Sequence, residues 1–555
     1  MNDAPSARDQ GIRNAATVVV MRDAASGPEV FMLRRAESAV FLGGAYVFPG
    51  GALDAGDSDP RWIDRVAGIT AQGADRRLDV PQGALAYWIA AIRECFEEGG
   101  ILFMQDALGG ALSSEQLALL EQQREALCRG EIGFIDLLAR AQCRLNAGAL
   151  VYFDHWITPP LRPRRFDTRF FIARAPADQE GSHDNSETVH SLWVRPGDAL
   201  ARNERKEIEL AAATHVTLRW LDQFDSVERA LEVARSRTRI EVNRPAIAQG
   251  REGAKIFRLG DPAYYEIHWS DPAETTRSTY DLTPGLPKRL DALVTRVIAP
   301  NPGMMTGPGT NTYLVGTDSL AVIDPGPDIE SHVEAILAAA GDRPIRWILC
   351  THTHRDHSPA AARLRERTGA QVIGLPPPPG PTQDAGFAPD RMPRNDEVIA
   401  ISGAALRALH TPGHASNHVC WLLESTGMLF TGDHVMQGST VVINPPDGDM
   451  AAYLASLARI RELAPAIIAP GHGYLIGAVT REIDKLVEHR RWREARVIEA
   501  LRSTGGGALE ALVPIVYADV PADRHRAAAR SLLAHLEKLE AERRVVSANG
   551  KYRLA

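Results

Sequence analysis

The chain has 555 residues and a net charge of −8, with 45% hydrophobic and 24% charged residues, which is an ordinary composition for folded domains. At roughly 100 to 200 residues per domain, about three or four domains are expected, and the negative charge argues against general attraction to nucleic acid. No apolar run reaches the roughly 18 residues of a membrane span and the start does not resemble a secretion signal, so we expect a cytoplasmic protein without membrane partners.

A helix with an acidic face is predicted after two strand-like segments at 16–20 and 29–33. From Ala84 onward, apolar residues recur at helical spacing and mark a buried stripe: Leu85, Ile89, Ile92 and Phe96. Glu94, Glu97 and Glu98 share a neighbouring face. Like charges at this spacing cost roughly 0.2 to 0.5 kcal/mol per pair, so a bound divalent cation is a natural compensation. A solvated acidic face is the alternative interpretation.

The pattern R-E-U-x-E-E-x-G-U at 93–101, preceded by F-P-G-G at 48–51, resembles the Nudix box. The acidic residue of the first half of the box falls on Asp57 when counted from Gly51. The box is split by an insertion of about 28 residues, at about 57–84, which leaves the role of Asp57 open.

The long insertion and the segment W-I-T-P-P-L-R-P-R-R-F-D-T-R-F-F at 156–171 are similar to Nudix proteins of the coenzyme A diphosphatase type. This resemblance implies a Nudix α/β/α sandwich that acts on a nucleotide diphosphate such as coenzyme A. It also implies Mg²⁺ or Mn²⁺ on Glu94, Glu97 and Glu98, with Glu97 and Glu98 as catalytic residues. Arg164 and Arg165 would bind substrate phosphates or serve as ordinary surface charges. Glu187 is a hypothetical base or further ligand.

The rest of the N-terminal half contains predicted helices at 117–147 and 204–235, with strands at 170–173 and 191–194 between them. Serine, threonine, proline and glycine accumulate from 270 to 286. We therefore predict a Nudix-like domain over 1–275 and a linker over 276–288.

A dense group of metal-binding side chains, H-T-H-R-D-H-S at 352–358, directly follows the strand-like run 345–350. Three later loops add His414, Asp433 and His472. Seven candidate ligands fit two cations: His352, His354 and His414 on one, Asp356, His357 and His472 on the other, and Asp433 as the bridge. A water shared between the ions would lose its proton near neutral pH and act as the nucleophile.

These H-x-H-x-D-H, G-H, G-D and G-H elements resemble the metallo-β-lactamase superfamily. With G-T-N-T-Y-L-V at 309–315 and V-I-D-P-G at 322–326, they are similar to its lactamase-β-like-protein-two branch. The resemblance implies a four-layer αβ/βα sandwich over 289–480 with two Zn²⁺ ions, although histidine and aspartate also suit iron and manganese. It places Asp356 in catalysis and Asp324 in support of a ligand imidazole. His418 would be a substrate-side donor or a structural histidine.

The last segment, 481–555, has helix-like runs at 481–503 and 521–544 and a hairpin with an Asn549-Gly550 turn at 545–554. It resembles the winged-helix tail of the same branch. The segment contains 15 Lys and Arg against 11 Asp and Glu. This excess is compatible with holding RNA and equally with a solvated helix surface.

The sequence therefore predicts a multidomain protein of the α/β and α+β classes with two metal-dependent hydrolase sites. The branch includes endoribonucleases that act on single-stranded RNA, while the glyoxalase II thioesterases are close relatives, so both RNA and acyl-coenzyme A or glutathione thioesters are open for the lactamase half. A third possibility is that the Nudix half is a non-catalytic binding module. A homodimer is a further expectation from the resemblance, because members of this branch often form dimers.

Overall fold

A computed structural model describes residues 11–38, 42–177, 179–184 and 187–555. The chain divides into two compact units, Met1–Pro245 and Ala246–Ala555, which we call the N-terminal and C-terminal units. The first unit thus ends about 30 residues before the predicted domain edge at 275. Residues 246–275 join the C-terminal unit because Glu266 forms buried ion pairs there with Arg296 and Lys288.

The strands of the N-terminal unit are β1 (Ile12–Ala24), β2 (Gly27–Arg35), β3 (Tyr46–Val47), β4 (Gly50–Ala52), β5 (Val66–Ala67), β6 (Met104–Asp106), β7 (Cys143–Asn146), β8 (Val151–Ile157), β9 (Arg165–Arg174) and β10 (Thr188–Val194). The α-helices are α1 (Ala71–Leu78), α2 (Leu85–Gly99), α3 (Ser114–Cys128), α4 (Phe134–Ala141), α5 (Pro196–Glu204), α6 (Ala212–Leu221) and α7 (Val227–Ser236).

A mixed sheet in the order β10-β2-β1-β9-β8 forms the centre of this unit, with β3 added to β2 and β4 added to β1. Both faces of β1 are buried, because Val18 and Val20 pack towards α2 while Val19 and Met21 pack towards α6 and α7. This alternation is the period of two that a strand between two helical layers requires. The predicted α/β/α sandwich is confirmed.

Two predicted long helices of this unit are interrupted. The run 117–147 forms α3, α4 and the strand β7, with Gly130 in a left-handed conformation (φ 70°) between the helices. The run 204–235 is divided into α6 and α7. The insertion at 57–84 carries α1 and the short strand β5.

The strands of the C-terminal unit are β11 (Ala246–Ala248), β12 (Lys255–Phe257), β13 (Lys288–Arg289), β14 (Val294–Ile298), β15 (Asn311–Val315), β16 (Leu320–Ile323), β17 (Ile345–Leu349), β18 (Gln371–Ile373), β19 (Val398–Ile401), β20 (Ala404–His410), β21 (Val419–Leu423), β22 (Met428–Gly432), β23 (Ile467–Pro470), β24 (Gly507–Ala508), β25 (Val545–Ala548) and β26 (Lys551–Leu554). The α-helices are α8 (Tyr264–Ser270), α9 (Glu330–Ala340), α10 (Ala360–Thr368), α11 (Met450–Leu463), α12 (Val479–Thr504), α13 (Leu509–Val516) and α14 (His525–Ala541).

Two sheets, β13-β14-β15-β16-β17-β18 and β19-β20-β21-β22-β23, face each other across an apolar core. Tyr313 and Leu349 of the first sheet meet Trp421 and Phe430 of the second in this core. Helices α9 and α10 cover the outer face of the first sheet, and α11 covers that of the second. This is the predicted four-layer αβ/βα arrangement.

The segment after β23 forms α12, α13, α14 and a small sheet of β24, β25 and β26, as predicted for a winged helix. The hairpin turn has Asn549 and Gly550 at positive φ, which an Asn-Gly turn supplies at little cost. Helix α14 also packs on the lactamase fold, since Ala534 lies in the same core cluster as residues of α11. Among the helices of the described residues, none combines the length and apolarity needed to cross a membrane.

Candidate active sites

Three imidazoles converge where β17 and β20 end. His352 Nε2 lies 2.9 Å from His354 Nδ1, and His414 Nε2 lies 3.1 Å from the same atom. His352 and His354 are placed together because they are two residues apart on extended chain that leaves β17, so both point to one side. The ligand nitrogens of these residues all lie within 4.8 Å of one another.

A second group contains two carboxylates and two imidazoles, Asp356, His357, Asp433 and His472. His472 Nε2 lies 3.2 Å from Asp433 Oδ1 and 3.4 Å from Asp356 Oδ2. His357 Nε2 lies 3.4 Å from the same oxygen of Asp433. The other oxygen of Asp433 approaches the first group, at 3.8 Å from His414 Nε2. Asp433 therefore stands between the two groups, where its two oxygens face different sets of imidazoles.

The outward ring nitrogens of these histidines are held by the fold. His357 Nδ1 lies 2.9 Å from Asp324 Oδ2, and the backbone N–H of Thr351 donates to the other oxygen of Asp324. His414 Nδ1 is 2.9 Å from the carbonyl oxygen of Val442, and His472 Nδ1 is 3.2 Å from that of Gly309. A carbonyl partner requires Nδ1–H, so Nε2 of His414 and His472 carries the lone pair that a cation needs.

The two groups differ in electrostatic character. Burial, together with neighbouring imidazoles, lowers the pKa of His352 and lowers that of His354 to about 4. In the second group burial opposes protonation, but the nearby carboxylates outweigh it and raise the pKa of His357 and, to about 9, that of His472. His352 and His354 are thus neutral imidazoles at neutral pH, and the second group attracts positive charge.

Unsatisfied buried atoms test whether these residues fit metal ions. His357 Nε2, His472 Nε2 and Asp433 Oδ1 are buried and have no hydrogen-bond partner within the protein. Buried polar atoms of this kind are costly unless something binds them. Both nitrogens lie within 3.4 Å of Asp433 Oδ1, and nitrogen with carboxylate oxygen is a donor set that suits zinc-like cations. The residues therefore fit two divalent ions.

His418 lies behind this site. Its side chain is fully buried, its ring stacks on that of His352 with centroids 5.1 Å apart, and its Nδ1 contacts Thr411 Oγ1 at 3.0 Å. Full burial favours the structural alternative, although His418 Nε2 has no hydrogen-bond partner among the described residues, and the substrate-side role stays a proposal.

Sequence reasoning missed a polar network beside the first group. Thr353 Oγ1 donates to Gln383 Oε1 at 2.6 Å and accepts from Asn417 at 2.7 Å, while Gln383 reaches Asp447 at 2.9 Å. These contacts fix the backbone between His352 and His354. Thr353 was visible between the two histidines, but its partners are 30 and 64 residues away, so no local pattern could reveal them.

In the N-terminal unit, the predicted glutamates lie on α2 around a buried arginine. Arg93 Nη1 donates to Glu94 and Glu97, each at 2.9 Å. Glu98 accepts from the backbone N–H of Gly50 at 2.9 Å. Among the described residues, the three carboxylates do not form a group whose ligand atoms all lie within 4.8 Å.

Burial raises the pKa of Glu94 and Glu97 to about 7 against the opposing charge of Arg93, and it raises that of Glu98 as well. Carboxylates with raised pKa values gain when a cation binds beside them. An all-oxygen donor set fits a hard ion such as Mg²⁺.

Asp57 binds Arg93 even though the insertion separates the two residues in the sequence. Its two oxygens accept from Nε and Nη2 of Arg93, both at 2.9 Å, and both side chains are buried. This bidentate pair joins the two separated parts of the box. The segment 57–84 can therefore loop out without moving the acidic residue from the arginine.

The remaining predicted residues lie at the periphery. Arg164 is exposed, and Arg165 is half-buried at the start of β9, where its Nε donates to the carbonyl oxygen of Thr158. Glu187 is exposed and lies 3.8 Å from Arg35, which is 3.9 Å from Glu98. Arg35 thus connects Glu187 with the glutamates of α2. The predicted roles of Arg164, Arg165 and Glu187 stay proposals.

Arg124 is a further residue that the sequence did not indicate. This buried side chain of α3 donates through Nε and Nη2 to the carbonyl oxygen of Glu97 at 3.1 and 3.0 Å, and it also binds Ser182. It therefore holds the end of the glutamate-bearing helix. The predicted helix at 117–147, which contains Arg124, gave no local sign of this contact.

Folds and sites together define a hydrolase built from several domains and equipped to bind divalent metal ions. Models of three families match the chain: "Metallo-beta-lactamase superfamily" over 305–472, "NUDT19 Nudix domain" over 70–221, and "Beta-lactamase associated winged helix domain" over 508–552.

The chain is similar to the Beta-lactamase-like protein 2 homologs of Drosophila melanogaster and Caenorhabditis elegans. The first is 34% identical over 279 residues, which cover 46% of this chain and 90% of that protein. The second is 30% identical over 260 residues, which cover 45% and 85%. The Atrochrysone carboxyl ACP thioesterase of Aspergillus fumigatus is 33% identical over 261 residues, covering 43% and 79%. The chain belongs to the metallo-β-lactamase superfamily and additionally carries a NUDT19-type Nudix domain and a winged helix.

Proposed function

We propose that this protein is a hydrolase with two active sites. The N-terminal unit cleaves a nucleotide diphosphate such as coenzyme A, and the lactamase fold cleaves a thioester. The observation that carries the proposal is the convergence of two ligand groups on opposite oxygens of Asp433. Seven side chains from four loops meet there, and three of their ligand atoms, His357 Nε2, His472 Nε2 and Asp433 Oδ1, are buried without a hydrogen-bond partner.

In the lactamase half, His352, His354 and His414 would hold one cation and Asp356, His357 and His472 the other, with Asp433 shared. Zinc is the metal we propose, and iron or manganese would suit the same donors. When bound, two such cations lower the pKa of a water between them and polarise the oxygen of the bond to be cleaved. Asp324 keeps His357 in the tautomer that presents Nε2. Asp356, the least buried of the second group, would receive a proton from water or guide it away.

A thioester is favoured as the substrate because a relative over this region is named a thioesterase. The Nudix-type domain of the same chain also resembles enzymes that hydrolyse coenzyme A. Single-stranded RNA is the second candidate, and the observation that favours it is the winged helix with 15 basic against 11 acidic residues from 481 onward.

In the Nudix half, Glu94, Glu97 and Glu98 would hold Mg²⁺ or Mn²⁺ and position water at a diphosphate. The bidentate pair of Arg93 with Asp57 supports this half of the proposal, since it keeps the split box assembled. The alternative, a non-catalytic binding module, would retain nucleotide binding without turnover.

Mass spectrometry of products from one acyl-coenzyme A, with Mg²⁺ and Zn²⁺ supplied, tests both halves. Adenosine bisphosphate with acyl-phosphopantetheine is the expected Nudix product, and free coenzyme A with the acid is the expected product of the lactamase half. Glu97→Gln should remove only the first pair and His414→Ala only the second. Absence of the second pair, with cleavage of single-stranded RNA that His414→Ala abolishes, would replace the thioester by RNA.

A further inference from the structure

Helix α12 of the C-terminal segment brings a buried arginine next to the metal centre of the lactamase fold. Arg490 is 3% exposed, and its Nη2 donates to the carbonyl oxygen of Val441. Its guanidinium carbon lies 5.3 Å from the centre of the Tyr453 ring. No carboxylate of the described residues lies within ion-pair distance of Arg490, and its Nε has no partner. The cation is thus held by a carbonyl and an aromatic face.

The next carbonyl along the chain holds a ligand. Val442 O lies 2.9 Å from His414 Nδ1, and this contact turns His414 Nε2 towards His354. Two consecutive carbonyls, those of Val441 and Val442, therefore connect Arg490 to a ligand imidazole. The segment belongs to a loop without helix or strand between β22 and α11, so its backbone direction depends on such contacts.

The tyrosine that Arg490 covers supports His414 from the other side. Gly413 has no side chain, and a Cβ placed there would lie 2.4 Å from the Cα of Tyr453. The backbone of the ligand loop is therefore packed directly on α11 at Tyr453. Arg490 therefore contacts both residues that adjoin the supports of His414: the carbonyl of Val441, which precedes Val442, and the ring of Tyr453, whose backbone packs on Gly413.

Burying an arginine without an anion is costly, because its charge is removed from water and no opposing charge replaces the lost hydration. A methionine of similar length would pack in its place without that cost. We infer that Arg490 is a positioning residue for His414, so that helix α12 takes part in building the metal centre. The inference rests on the proposed metal centre and is independent of the substrate.

The experiment measures bound zinc in the full-length protein. Wild type, Arg490→Met, Arg490→Gln and the exposed neighbour Arg491→Met are loaded with Zn²⁺ and dialysed against excess Mg²⁺, which keeps the all-oxygen Nudix site free of zinc. His414→Ala serves as the reference for loss of the three-imidazole site. Zinc content and the rate of release to a chelator are then recorded, together with the unfolding temperature.

We expect Arg490→Met to release one of its two zinc ions about tenfold faster than wild type, at the lower end of the roughly 10- to 100-fold affinity loss known for groups that hydrogen-bond a ligand directly, because Arg490 acts one contact further away. Arg490→Gln keeps a neutral donor and should fall between Arg490→Met and wild type. Arg491→Met should match wild type. Selective loss of one ion, the same ion that His414→Ala loses, distinguishes positioning from general destabilisation, which would affect both.

Release from Arg490→Met at the wild-type rate would overturn the inference. If Arg490→Met does not fold, wild-type release from a folded Arg490→Gln would overturn it instead. If wild type and His414→Ala bind equal amounts of zinc, the proposed metal centre itself is refuted, and this outcome is separate from the failure of Arg490 alone.

Discussion

Replacement of Glu266 by glutamine tests the reason why 246–275 belongs to the C-terminal unit. Glu266 is fully buried, and its carboxylate accepts from Nη1 and Nη2 of Arg296 at 2.6 and 2.9 Å and from Lys288 at 2.6 Å. It also accepts from the backbone N–H of Leu475 at 3.1 Å, three residues after the ligand His472. One carboxylate therefore joins α8, β14 and the loop of a metal ligand.

The magnitude follows from the pKa of this carboxyl. Burial alone would raise the pKa, but Arg296 and Lys288 outweigh it and lower the pKa from 4.5 to about 2. At about 1.4 kcal/mol per pKa unit, the ionised form contributes about 3 kcal/mol to stability. Because the folded pKa is lowered, this contribution is fully present above pH 4.5 and is lost as the pH falls towards 2. Removing one partner of a buried pair costs about 3 to 5 kcal/mol, which agrees with this value.

We therefore expect Glu266→Gln to lower the free energy of unfolding of the C-terminal unit by about 3 kcal/mol at pH 7. The assay is urea unfolding of metal-free protein, with the transitions of the two units fitted separately. The exposed Glu462→Gln is the control and should be neutral. The difference between wild type and Glu266→Gln should narrow between pH 4.5 and 3. A difference below about 1 kcal/mol at pH 7, or one that stays constant in acid, would refute the reasoning.

Further outcomes are expected at the two sites. Asp324→Asn should weaken zinc binding by about 10- to 100-fold, measured by competition with a chelator, because the imidazole of His357 loses its orienting acceptor. His414→Ala and Asp433→Ala should each abolish hydrolysis by the lactamase half and spare the diphosphatase, and Glu97→Gln should do the reverse; loss of both activities from one change would contradict independent sites. Asp57→Asn should destabilise the N-terminal unit by about 3 kcal/mol in urea unfolding, since Arg93 keeps a buried charge with a weakened partner.

The convergence of the proposed metal ligands could be predicted because each follows the end of a strand. Apolar runs mark β17, β22 and β23, and in this fold the carboxyl ends of such strands meet at one edge. His352, Asp433 and His472 are therefore brought together by a topology that the sequence pattern already indicates. The short motif from His352 to His357 already contains four of the seven side chains.

The supporting contacts could not be predicted, because they join residues that share no local pattern. Arg490 is 49 residues from Val441, and Arg93 is 36 residues from Asp57. A main-chain carbonyl such as Val442 O is not encoded by a residue type at all. Such contacts depend on the packing of complete helices and strands. Composition and periodicity therefore do not predict them.

The domain edge shows the same limit. Serine, threonine, proline and glycine from 270 to 286 correctly predicted irregular chain, but irregular chain is also found inside a domain. The edge was displaced because the short helix α8 before this segment is bound to the C-terminal unit by Glu266. The sequence of this seven-residue helix does not indicate that Glu266 pairs with the distant Arg296.

The two proposed sites offer different donor atoms, which favours a different cation in each half of the chain. Oxygen atoms of glutamates supply the Nudix-type site, and hard ions such as Mg²⁺ prefer oxygen and retain waters for the substrate phosphates. Five imidazoles supply the lactamase site, where a borderline-soft ion binds far more tightly. The difference in donor atoms would therefore direct the two ions to different sites. Under the proposed function, each of the two sites would therefore keep its own metal.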